Sequence, residues 1–198
     1  PQLLVAIASG EPELVVALGQ ALPQFRWQLA WRSIISAASI SAVIALTPLP
    51  IIDFAPLAIT QSVMVLGIAR IYNYKMTLAR ARELAITFGL GFLGRTLFYE
   101  LSKFGGLPGW LLGAAIASST TVVMGYAASI WFEKGEKISQ ANLKSMTSAT
   151  TKYILDKLKS RTSSKPGKKK LQKDIAEVLE GSPLGENRSF FDNSDSGK

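Results

Sequence analysis

The sequence predicts an all-α protein. Its middle reads as a helical membrane-embedded domain of two apolar hairpins, about four helices, followed by an amphipathic helix and a disordered basic tail. Three observations lead there. Ser33–Ile52, Phe54–Ala69 and Phe104–Phe132 carry no charge, and a bilayer span needs about twenty consecutive apolar residues. Proline- and glycine-rich turns interrupt these stretches. Lys and Arg collect at their flanks, as the positive-inside rule requires of cytoplasmic ends.

Residues 1–32 read as an amphipathic lead-in. Glu11, Pro12 and Glu13 suit a helix N-terminus, and Leu14, Leu18 and Leu22 recur at helical spacing. Pro23 breaks that pattern. Arg26, Trp27, Trp31 and Arg32 mix indole and guanidinium, either at a membrane–water boundary or on an ordinary surface helix.

Residues 33–136 are the expected membrane-embedded unit. In its first hairpin, Pro48 and Pro50 disfavour a continuous helix, and Asp53 can cap the next one, with Pro56 tolerated in its first turn. These lengths suit a thin crossing or a re-entrant dip. A third apolar segment, Leu84–Leu101, contains Arg95 and Glu100, both costly against lipid unless they face a bundle interior. Phe104–Phe132 is the strongest membrane signal, with Trp110 and Trp131 near its ends. Within it Gly109, Gly113 and Ala117 form a small-xxx-small ladder, continued towards Gly125, that allows close helix packing.

Beyond Lys137 the character changes. Residues 137–160 form an amphipathic helix with Leu143, Met146, Thr150, Tyr153, Ile154 and Leu158 on one face. Residues 161–198 hold a Lys/Ser-rich linker, a short helix on Leu171, Ile175, Val178 and Leu179, and a polar tail. The net charge of +8 is shared unevenly, with nine Lys/Arg against six Asp/Glu up to Gly135 and thirteen against eight after it.

The absence of Cys and His excludes disulfides, thiolate metal sites, and any Ser–His–Asp or Cys–His catalytic device. No catalytic, cofactor-binding or metal-ligating residue is expected in this segment, and no enzyme activity of its own. Gly89-Leu90-Gly91-Phe92-Leu93-Gly94 matches G-x-G-x-x-G, but the residues before it read as helix rather than strand. Its glycines fit packing or a bend better than a dinucleotide. The Lys165–Lys173 run lacks interleaved aromatics, so anionic lipid or plain solvation is expected there and nucleic acid is not. Asp53 reads as a helix cap before an ion site. Gln61 is placed to hydrogen-bond a neighbouring helix.

Pro48-x-Pro50-x-x-Asp53, followed by Gln61-x-x-Met64-Val65-x-x-Ile68-Ala69-x-Ile71-Tyr72, resembles the YcjF-like domain of unknown function. The small-residue helix around Gly113–Gly125 and the ending Trp131-Phe132-Glu133 belong to the same resemblance, which spans roughly Ile34 to Glu136. Asn73 stands where that family commonly has Gly. The resemblance implies a position C-terminal to an Era-like small GTPase domain. Any GTP and Mg would then belong to an upstream G domain, which is expected to precede Pro1. It also implies a bacterial inner membrane, cyanobacteria among its sources, with both termini cytoplasmic. It supplies no catalytic residue. The expected function is a membrane-anchoring module of an Era- or dynamin-like GTPase. Its partners would be the bilayer, its own G domain and, as an open option, further copies of itself. Two other readings stand beside it: a small channel or transporter subunit using Asp53, Gln61, Arg95 and Glu100, and a soluble all-α bundle that binds a partner.

Overall fold

A computed structural model describes residues 12–46, 55–88, 107–161 and 164–186. All the regular structure in them is helical: α1 (Pro12–Ala21), a 3-10 turn at Pro23–Phe25, α2 (Arg26–Ile44), α3 (Ala55–Ile71), α4 (Leu78–Phe88), α5 (Gly109–Lys134), α6 (Gln140–Arg161), α7 (Lys168–Glu180) and the single turn α8 (Pro183–Glu186).

Local chemistry sets most of these boundaries. Pro12 and Pro56 stand in first turns, where a missing N–H costs nothing. Pro23 opens the 3-10 turn that redirects the chain into α2. The helix begins at Arg26, so Trp27, Trp31 and Arg32 are continuous with the charge-free residues after them rather than part of a separate lead-in. Arginine is a good helix former, and a charge boundary need not be a helix boundary. At the end of α3 Asn73 adopts φ 56°, in the left-handed region where only Gly and, next to it, Asn are at ease. Gly135, at φ 74°, ends α5 by returning its N–H to the Trp131 carbonyl at 2.9 Å. Thr77 caps α4 by accepting from the Arg80 N–H at 3.3 Å.

The helices pack as three layers. α2 and α5 form the middle, antiparallel, with Gly113 beside Ala45 at one end and Gly125 beside Ile34 nearer the other. α3 lies across both on one side and carries α4 and α1. α6 packs on α5, and α7 on α2 and α6, closing the other side. One apolar core runs from Trp27 to Leu179, crossing the sequence positions 32, 136 and 160 where the composition changes. Even the turn after α7 takes part. Gly185 lies directly against the Trp31 indole, and its carbonyl accepts the Trp27 indole N–H at 3.0 Å.

Among the described residues α5 alone is long and apolar enough to cross a bilayer, yet 94% of its most apolar window is buried inside the protein. α3 is apolar but shorter than a span. The expected pair of membrane hairpins therefore reduces, in the described residues, to one span-length helix sheathed by its neighbours. Leu84–Leu101 is described only to Phe88, as the end of α4.

Candidate functional site

Of the polar positions singled out in the sequence, Pro48, Pro50, Asp53, Arg95 and Glu100 lie outside the described residues. Gln61 lies at the heart of the bundle, 1% exposed. Its Nε2 donates to Thr121 Oγ1 of α5 at 3.1 Å, and that oxygen lies 2.9 Å from Ser41 Oγ of α2. One amide and two hydroxyls thus join three helices. The Thr121 hydroxyl is also 2.8 Å from the Ala117 carbonyl, so its one proton serves either that carbonyl or Ser41.

Serine and threonine recur along α5. Ser118, Thr121 and Ser129 return their hydroxyls to the carbonyl four residues back, which hides their polarity within the helix. Two residues from Thr121, about 200° round the helix, Ser119 meets Thr151 of α6 at 2.6 Å. The packing glycines differ. A Cβ at Gly125 would collide with Ile34, one at Gly113 would reach ordinary contact 3.4 Å from the Ala45 carbonyl, and one at Gly109 would meet nothing within 4 Å. Ala117 is buried.

The outer face of α3 is of another kind. Ala55 and Pro56 are exposed, and Ile59 and Val63 are 61% and 58% exposed. They stand at helical spacing on a helix whose one charge, Arg70, lies two turns beyond Val63 on the same stripe. Hydropathy alone gave no sign of this stripe, because the whole helix is apolar and only packing decides which side remains bare.

Past Arg70 the α3–α4 turn forms a shallow cavity of about 410 Å³, lined by Gln20, Arg70, Asn73, Tyr74, Lys75 and Thr77 among others. The opposite, α6–α7 layer is charged along its outer side. There Arg161 pairs with Glu177 at 2.7 Å, and Lys173 reaches the same carboxylate at 3.7 Å. Among the described residues no cluster of acids is arranged to hold a metal ion.

The described residues thus form an all-helical bundle with a polar junction in its core and a bare apolar stripe on one face. Over residues 12–160, well over half its length, the chain matches the family described as Domain of unknown function (DUF697), and it belongs to that family. No curated protein matches it, and no solved structure does.

Proposed function

We propose that this chain is a membrane-surface module of a larger protein. In this reading it lies on the bilayer with the outer face of α3 in the interface, and α5 is not threaded through the lipid. The observation that carries the reading is the exposed pair Ile59 and Val63 on a helix with no charge before Arg70. Inserting two half-exposed aliphatic side chains gains roughly 1–2 kcal/mol each. Arg70, Lys75 and Arg82, all exposed on the same layer, add about 1 kcal/mol each near anionic headgroups. Such a total gives reversible, peripheral binding, typical of an interfacial helix. The buried state of α5 and the charged α6 packed along it favour this arrangement over a span. The α6–α7 layer is basic too, but offers charge without an inserting apolar stripe.

Flotation with anionic vesicles tests the reading. The wild-type chain is expected to float, and Ile59→Asp with Val63→Asp to reduce the bound fraction at least tenfold, the equivalent of about 1.4 kcal/mol or more. Equal flotation of the double variant would sink it. Bound chain is expected to come off in alkaline carbonate; retention would point instead to α5 as a true span.

The larger protein, in the same proposal, is a small Era- or dynamin-like GTPase of a bacterial inner membrane whose G domain lies upstream. This part rests on the resemblance around Pro48–Tyr72. A G-x-x-x-x-G-K-[ST] motif in the reading frame ahead of Pro1 would support it, and a full-length frame without one would end it. The burial of α5 favours one second reading, a helical bundle whose α3 stripe docks an apolar helix of a protein partner. A detergent-free monodisperse chain that ignores vesicles of every composition would select it.

A further inference from the structure

We propose that the cavity at the α3–α4 turn binds a phosphate group. Its lining includes two cations, Arg70 and Lys75, and no carboxylate. Neither cation has an ion pair among the described residues, whereas Arg80 is held by Glu83 at 2.6 Å and Arg161 by Glu177 at 2.7 Å. Arg70 offers a guanidinium fork and Lys75 an ammonium to the same cavity, and that combination suits a tetrahedral, multiply charged oxyanion better than a single carboxylate.

The neutral lining adds donors. Gln20 Nε2 spends one hydrogen on the Arg70 carbonyl at 3.2 Å, which ties α1 to the end of α3 and leaves its second N–H. Asn73 contributes an amide from a left-handed backbone position that fixes the turn. Thr77 caps α4, whose eleven residues start at Leu78 beside the cavity, so the partial positive charge of that helix end adds to the two cations. About 410 Å³ holds a phosphoryl group with a short polyol attached. The cavity is open on one side, so the rest of the ligand remains outside.

Two sources share this chemistry: a lipid headgroup phosphate and a free phosphomonoester. The lipid source rests on the membrane-surface reading, since Arg70 ends the α3 stripe. Phosphate binding itself does not rest on it.

Glycerol 3-phosphate titrated into the 15N-labelled full chain tests the site. Saturable shifts confined to residues near 20 and 70–79 are expected. Arg70→Ala and Lys75→Ala should each weaken binding about tenfold, as loss of one charge-assisted bond does, and Lys75→Arg should restore it. Both side chains are exposed, so the variants keep the fold, as a thermal melt verifies. Absence of saturable shifts, or shifts unchanged in both alanine variants, would overturn the proposal. If soluble phosphate binds and excess glycerol 3-phosphate, at matched ionic strength, releases the chain from phosphatidic acid vesicles, the source is lipid. If soluble phosphate binds and flotation is unaffected, it is a free phosphoester. Flotation without any glycerol 3-phosphate shift refutes the cavity and spares the membrane reading. Shifts without flotation do the reverse.

Discussion

The Ile34 side chain of α2 covers the Cα of Gly125 in α5, occupying the place where any Cβ would stand, with Met64 Sδ of α3 3.3 Å from the same point. Ile34 is fully buried and cannot swing aside. Gly125→Ala is therefore expected to destabilise the bundle by about 1–3 kcal/mol, the usual cost of overpacking. Gly67, about one turn before the end of α3 with open space around its Cβ direction, is the opposite case. Gly67→Ala should stabilise by roughly 0.5–1 kcal/mol through the smaller entropy loss of alanine. Urea melts of the two variants give opposite signs if this geometry holds.

The Gln61–Thr121 bond makes a double-mutant cycle informative. Gln61→Ala opens a buried cavity and takes the amide donor from Thr121, and about 2–4 kcal/mol should be lost. With Thr121→Val already in place, the Gln61→Ala cost should fall by about 0.5–1.5 kcal/mol, the coupling of one buried hydrogen bond. A coupling near zero would show that the two side chains are neighbours without being partners.

Among the described residues, Asn73 and Gly135 hold the backbone in the left-handed region. Gly135→Ala should cost about 1–2 kcal/mol, since a Cβ there meets the following carbonyl. Asn73→Ala should cost about 1 kcal/mol, and Asn73→Gly should leave stability within about 0.5 kcal/mol of wild type. Thermal melts rank the three variants.

Thr150 is fully buried on α6, and its hydroxyl finds no partner among the described residues. Valine has the same shape without the orphaned oxygen. Thr150→Val is expected to stabilise by about 1 kcal/mol, measured as a shift of the urea midpoint with an unchanged slope. A loss of stability would mean that the hydroxyl is bonded in solution.

Much of the helix plan is legible in the residues. Pro23 and Pro56 mark a break and a start, and Gln61 could be expected to reach a neighbouring helix because a lone amide on an apolar helix needs a partner. What surrounds α5 is harder to read. Apolarity states that a helix avoids water, and lipid or protein can satisfy that equally well. The packing face of α6 is legible in Leu143, Met146, Thr150, Ile154 and Leu158, but not its width, since Thr147 and Thr151 are fully buried yet score as polar. Thr147 and Thr151 manage this by bonding their hydroxyls to the carbonyls of Leu143 and Thr147, each at 2.7 Å. The cradle of Arg70 and Lys75 is invisible for another reason: Gln20 joins it from fifty positions away in the chain.

The central place of α5 also sets a clock. Its backbone amides point into a helix enclosed by α2, α3 and α6, so exchange with solvent deuterium requires those layers to part. α4 and α7 each sit on an outer layer, and their amides can exchange through smaller openings. The slowest-exchanging amides of the protein should therefore lie between Leu112 and Ile130, and their rate reads out the opening of the whole bundle.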